Sequence, residues 1–221
     1  MTVQDSRLDL ERRRRLGMVE AIWGEHKSVE QIVSILLAMQ SAGELALVTR
    51  VDAEKAAAVQ ERCSAVQIHG NAACLTLGEF PPTGQPAQVA VLSGGTSDRR
   101  VAEEASLALR VHGVACESFL DVGVAGLHRL LDVLPELRTM SVLIACAGME
   151  GALPTVLAGL APQPVIGVPV SVGYGVSAGG RAALDGMLAS CAPGLSVVNI
   201  DNGYGAAMAA LRILKGANAQ D

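Results

Sequence analysis

Val89-Ala90-Val91-Leu92 is a short unbroken apolar run, and Ser93-Gly94-Gly95-Thr96-Ser97-Asp98 ends it before a helix-forming stretch that reaches about His112. An apolar run closed by glycines is the pattern of a strand buried on both faces. The unit then recurs. Strands are predicted at Val114–Leu120, Ser141–Cys146, Val165–Val168 and Leu195–Ile200. Helices are predicted over Gly123–Leu134, Gly151–Leu160, Gly180–Ala189 and Gly205–Lys215. Five such units predict an α/β fold, a flavodoxin-like doubly wound parallel sheet. Ligands of such sheets bind beyond the carboxyl ends of the strands.

Upstream, Gly78–Ala87 packs three prolines and two glycines into ten residues. That composition predicts a linker over 78–87, between a small N-terminal α/β extension (1–77) and the main domain (88–221). In the extension, Ser28-Val29-Glu30-Gln31 has the form of a capping box. Ile32, Ile35, Leu36 and Met39 follow at helical spacing, with Gly43 as the stop. Leu45–Val48 and Ala73–Leu77 read as strands and Asp52–Arg62 as a helix. Arg12–Arg15 reads as a solvated basic run, and Trp23 as a buried anchor for the N-terminal segment.

Half of the 221 residues are hydrophobic, enough for a sizeable core, and only 18 % are charged, as in a chain whose surface is partly covered by other subunits. A net charge of −5 and five aromatic residues speak against nucleic-acid binding. No apolar run reaches the roughly 18–20 residues of a membrane span. MTVQDSRLDLERRRR has no apolar leader core, and the cysteines at 63, 74, 116, 146 and 191 form no C-x-x-C pair. Reduced thiols in a cytoplasm are expected.

Several polar segments fall where the fold predicts a cleft. Ser93–Asp98 opens a helix and suits an anion, or is a tight turn with Ser97 as N-cap. Glu150, in Ala147-Gly148-Met149-Glu150-Gly151, stands among glycines at a strand end. It can face a ligand or complement a helix dipole. Cys146 reads as a small core residue. Gly173 and Tyr174 belong to a glycine-rich loop, and His128-Arg129 opens a helix at the cleft. Asn199, Asp201, Asn202 and Gly203 end the last strand. On residue type alone, Cys191 is a packing cysteine.

In combination, Val89–Lys215 resembles the PurE-type carboxylases, the aminoimidazole ribonucleotide carboxylases and mutases. The likeness lies in the Ser93–Asp98 turn, Leu127-His128-Arg129 and Pro164-Val165-Ile166-Gly167-Val168-Pro169-Val170. Those enzymes carry a histidine two residues before a Leu-Pro pair. Here Leu153-Pro154 is preceded by Glu150, Gly151 and Ala152 instead. Nearly the whole chain is similar to the LarB family, carboxylases of nickel-pincer nucleotide cofactor synthesis. That resemblance adds Glu20-x-Ile22-Trp23-Gly24-Glu25-x-Lys27, Ala147–Pro154, Ser171-Val172-Gly173-Tyr174-Gly175, Ser190-Cys191-Ala192 and Asn199–Gly203.

The resemblance implies carboxylation of nicotinic acid adenine dinucleotide at pyridinium C5 with CO2 or bicarbonate, then phosphoanhydride hydrolysis. By the same resemblance the product would pass to later pincer-cofactor enzymes. The resemblance implies Cys191 as nucleophile and Glu150 as base, overriding the packing reading of Cys191. Asp98 and Asp121 are candidates for orienting water. Ser93, Gly94, Gly95, Ser97, His128 and Arg129 would contact phosphate and ring carboxylate, with Gly148, Met149, Gly173, Tyr174 and Asn199–Gly203 completing the substrate site. No tightly bound cofactor is expected, although Mg²⁺ could serve the hydrolytic step. The alternatives are an aminoimidazole ribonucleotide enzyme or a non-catalytic nucleotide-binding subunit. A homo-octamer is expected from the related carboxylases.

Overall fold

The computed structural model describes residues 2–3 and 6–218, so the outermost residues of both expected domains, with 4 and 5, lie outside the described residues. The chain divides into two compact units, Met1–Pro82 and Thr83–Asp221.

In the first unit a small hairpin, β1 (Thr2–Val3) and β2 (Ser6–Arg7), precedes α1 (Arg12–Leu16). The arginine run is thus helical, with no residue buried, and Gly17 closes it at φ 63°. A four-stranded sheet follows in the order β3-β4-β6-β5, from β3 (Ala21–Trp23), β4 (Ala46–Thr49), β5 (Gln67–His69) and β6 (Cys74–Leu77). β3 and β4 are parallel; the other pairs are antiparallel. Between them run α2 (Val29–Ser41) and α3 (Ala53–Arg62). The predicted capping box is present: the Gln31 N–H donates to Ser28 Oγ at 3.2 Å and the Ser28 N–H to Gln31 Oε1 at 3.0 Å. α2 buries Ile32, Ile35, Leu36 and Met39 against Ile22, Val48 and Leu75. Trp23 corrects the expectation of a buried anchor, being 50 % exposed. Successive strand residues face opposite sides, and Ile22 takes the core side.

The second unit is a flavodoxin-like doubly wound sheet. Its strands are β7 (Val89–Ser93), β8 (Cys116–Phe119), β9 (Val142–Ala147), β10 (Val165–Pro169) and β11 (Leu195–Val197). All are parallel, in the order β11-β10-β9-β7-β8. Every residue of β7, β9 and β10 is buried, because helices cover both faces. α4 (Arg99–Val111) and α8 (Gly203–Asn218) pack together on one side. The buried Glu104 of α4 fastens the pair by accepting the Tyr204 N–H at 2.8 Å. α5 (Leu127–Leu137), α6 (Ala152–Leu160) and α7 (Arg181–Leu188) complete the fold. α5 and α6 seat Leu130, Leu137, Leu153 and Leu157 in one cluster with Ala90, Leu92 and Leu143. Among the described residues no helix is long and apolar enough to cross a membrane.

Candidate active site

The order in which strands are added reverses between β7 and β9, so the loops after these parallel strands part and leave a crevice. A cleft of about 480 Å³ lies there, within the usual range for small-ligand sites. Gly94, Gly95, Ser97 and Asp98 line it from the loop after β7. Asp121, Gly123, Val124, Ala125 and Arg129 come from the segment after β8. Gly148, Met149, Glu150 and Leu153 come from beyond β9, and Val172, Gly173 and Tyr174 from beyond β10.

Two glycines let these walls close. A Cβ on Gly123 would lie 2.4 Å from the Gly94 carbonyl oxygen, and one on Gly148 would lie 2.2 Å from that of Val172. Both distances are far inside van der Waals contact with rigid backbone, so only glycine fits. Met149, at φ 51°, and Asp121, at φ 60°, hold left-handed conformations on the cleft wall. Such strain collects where a site over-determines its backbone.

Asp98 ties the walls together. It is 6 % exposed; Oδ2 accepts the Gly95 N–H at 2.8 Å and Oδ1 the Gly148 N–H at 3.1 Å. Burial pushes its carboxyl above the ordinary value. The two N–H bonds oppose that shift, and the nearby Asp201 and Glu150 charges add to it. Asp121 pairs with Arg129 at 2.6 Å on the opposite wall, both side chains partly exposed. Glu150 is exposed to the cleft, and its carbonyl packs on α7, where a Cβ on Gly186 would lie 2.7 Å from that oxygen.

Other candidates from the sequence sit elsewhere. Ser93 is fully buried, and its Oγ accepts the Asp121 N–H at 3.1 Å. His128 is exposed on the first turn of α5, outside the cleft lining. Asn199, Asp201 and Asn202 form the turn that leads into α8, which Gly203 begins. Asp201 accepts the Ser171 N–H at 2.8 Å, and Asn202 the Gly205 N–H at 2.8 Å. Cys191 lies beyond α7 in the turn to β11; it alone of the five free thiols is exposed, yet it does not line this chain's cleft. Burial pushes the Cys146 and Cys116 thiols up, which disfavours the reactive thiolate at both. Sequence reasoning missed Gly123, Val124 and Ala125, whose signal was a run of small residues between strand and helix.

The fold and cleft define a doubly wound α/β domain with a ligand crevice at the switch point of its sheet. Residues 88–220 match the AIR carboxylase family, and residues 2–79 match the LarB/PurE-like N-terminal domain. The chain belongs to the AIR carboxylase family, as a LarB-type member with that N-terminal domain. It is 38 % identical over 217 residues to an uncharacterized protein of Methanocaldococcus jannaschii, covering 95 % of this chain and 84 % of that protein. It is also 38 % identical over 133 residues to the N5-carboxyaminoimidazole ribonucleotide mutase of the same organism, covering 57 % of this chain and 78 % of that one. The corresponding mutase of Mycobacterium tuberculosis is 32 % identical over 149 residues, 63 % of this chain and 80 % of that one.

Proposed function

We propose that the protein carboxylates nicotinic acid adenine dinucleotide at pyridinium C5 and then hydrolyses the phosphoanhydride, giving AMP and the 3,5-biscarboxylated mononucleotide. The observation that carries this reading is Glu150, a carboxylate presented to a glycine-walled cleft at the switch point of the sheet. A pyridinium ring is too electron-poor to attack CO2. Addition of the Cys191 thiolate at C4 moves an electron pair onto the ring nitrogen and makes C5 an enamine carbon. C5 then bonds to CO2, and Glu150 takes the C5 proton. Cleavage of the C4–S bond returns the thiolate and restores the aromatic ring.

Cys191 follows the carboxyl end of α7, where no helix-terminal N–H groups await an anion. In this reading the cationic ring itself favours the attacking thiolate. An exposed apolar rim beside the cleft, Val172, Tyr174 and Val176, supports assembly into an oligomer, taken here as an octamer, in which a neighbouring chain closes the site. Among the described residues no three His, Cys, Asp or Glu side chains converge as metal ligands.

The test is mass spectrometry of products from protein, dinucleotide and labelled bicarbonate. Label in a biscarboxylated mononucleotide, with AMP released, is expected. Unchanged dinucleotide would leave a binding subunit. Turnover of aminoimidazole ribonucleotide without need of Cys191 would make the chain a purine enzyme, the reading favoured by its mutase relatives.

A further inference from the structure

The cleft is poor in free donors and rich in carboxylates. The turn after β7 leads into a helix, yet both of its glycine N–H groups are already taken. Gly94 donates to the Cys146 carbonyl at 2.9 Å and Gly95 to Asp98 Oδ2 at 2.8 Å. On the facing wall Gly148 donates to Asp98 Oδ1 at 3.1 Å and Met149 to the Val172 carbonyl at 3.3 Å. An anion at this end of the cleft would compete with Asp98 for the same N–H groups. Both Asp98 oxygens accept, as those of an ionised carboxylate do. Among the described residues lining the cleft, the carboxylates are Asp98, Asp121 and Glu150, and Arg129 is the one cationic side chain. Arg129 is paired with Asp121 at 2.6 Å, so the surplus negative charge falls on Asp98 and Glu150. Burial raises the Asp98 carboxyl, its two N–H bonds oppose the rise, and the Asp201 and Glu150 charges add to it. Like charges thus crowd one end of the cleft, and no cation among the described residues pairs with Asp98 or Glu150.

Such a place suits a planar cation and gives little to the same ring without its charge. We propose that Asp98 and Glu150 select the ring by its charge, so that the cleft binds the oxidised pyridinium form of a nicotinate dinucleotide and rejects its 1,4-dihydro form. This selection rests on the proposed reaction, in which Glu150 stands at C5 of the ring and the thiolate adds at C4. A dihydropyridine ring has no electrophilic C4, so binding it would fill the cleft without turnover. The apolar lining from Met149, Leu153 and Val172 meets both rings alike and cannot tell them apart. The ring's own carboxylate, the riboses, the phosphates and the adenine are common to both forms as well. Only the charge on the ring differs, and only a charged wall can read it.

The full-length Cys191→Ser protein is titrated by calorimetry with nicotinic acid adenine dinucleotide and, separately, with its 1,4-dihydro form. Serine removes the covalent adduct, so the comparison reads non-covalent binding alone. The oxidised form should bind about tenfold or more tighter. Glu150→Gln in the same background should shrink that ratio about threefold or more, and Asp98→Asn should do likewise. Glu136→Gln, on an exposed residue at the far end of α5 and outside the cleft lining, should leave the ratio unchanged. Equal affinity for the two forms, tighter binding of the dihydro form, or binding of neither overturns the proposal. So does a ratio that Glu150→Gln and Asp98→Asn leave intact, or that Glu136→Gln lowers as much, because shape or overall charge would then be the cause. No carboxylation is measured here. A protein that carboxylates yet binds both forms alike keeps the carboxylase reading and loses this proposal, and one that prefers the oxidised ring but incorporates no label does the reverse.

Discussion

Asp98 offers the sharpest test of how the cleft is held. Its two oxygens accept N–H groups from opposite walls, Gly95 at 2.8 Å and Gly148 at 3.1 Å. Bonds to a charged acceptor contribute about 1.5–3 kcal/mol each, and a stranded buried donor costs about 1–3 kcal/mol. Asp98→Ala strands both donors at a wall that water partly reaches, which points to a loss of about 2–4 kcal/mol. For a chain of this size that is a fall in Tm of roughly 4–16 °C. Asp98→Asn keeps one acceptor and turns an amide N–H toward the other donor, a loss of about 1–2 kcal/mol. The pH dependence has a definite sign. Burial, with Asp201 and Glu150 adding to it, raises this carboxyl above its ordinary 3.8 despite the two N–H bonds. The folded chain thus binds the proton more tightly than the unfolded one, and Asp98 contributes less stability as pH rises from 3.8 through the folded value. Asn cannot titrate. The advantage of wild type over Asp98→Asn should therefore be greatest in acid and narrow toward neutrality, other carboxylates cancelling in the comparison. Thermal melts of both proteins across this range check it. An advantage that widens with pH would refute the reasoning, since the N–H bonds would then outweigh burial.

Cys191→Ser should bind dinucleotide normally, because the cleft does not include it, and lose carboxylation by roughly 10³ or more, measured by label incorporation. Co-assembled Cys191→Ser and Glu150→Gln chains should regain activity if neighbouring subunits share a site; a dead mixture would mean that each chain supplies both groups. Gly148→Ala pushes a methyl to 2.2 Å from the Val172 carbonyl and should lower stability by about 1–3 kcal/mol, whereas Gly95→Ala, with its nearest neighbour at 3.8 Å, should melt like wild type. Light scattering should give the mass of an octamer, and a stable single chain at working concentration would contradict the covered-rim reading.

What the sequence made legible follows burial. β7, β9 and β10 stood out because strands covered on both faces are apolar throughout. β3 and β5, three residues each with exposed positions, carried too short a pattern to register. β11 was expected to run to Ile200 but stops at Val197. Among the described residues it pairs only with β10, and the chain must turn so that Asp201, at φ 55°, can reach the Ser171 N–H. α5 was expected to stop at Leu134, before Pro135. It continues to Leu137, and the full burial of that side chain offsets the helical bond that proline removes.

The site was legible in a different way, and its limits have a physical cause. A polar residue at the carboxyl end of a strand can meet a ligand or satisfy the backbone where the chain turns, and composition is the same in both cases. Ser97 and Glu150 face the cleft, whereas Ser93, Asn199 and Asn202 satisfy backbone N–H groups. Asp98 does both, since each carboxylate oxygen keeps a lone pair after accepting one N–H. The deciding quantity is how closely neighbouring loops approach. Where Gly123 and Gly148 let two loops touch, the backbone of one occupies space that side chains would fill, and polar groups behind that contact turn inward. Groups in front of it stay exposed to the crevice. A sequence names the glycines but not their partners across the sheet, because Gly148 meets Val172 only once β9 and β10 are paired. The strand order therefore had to be known before the polar residues could be sorted.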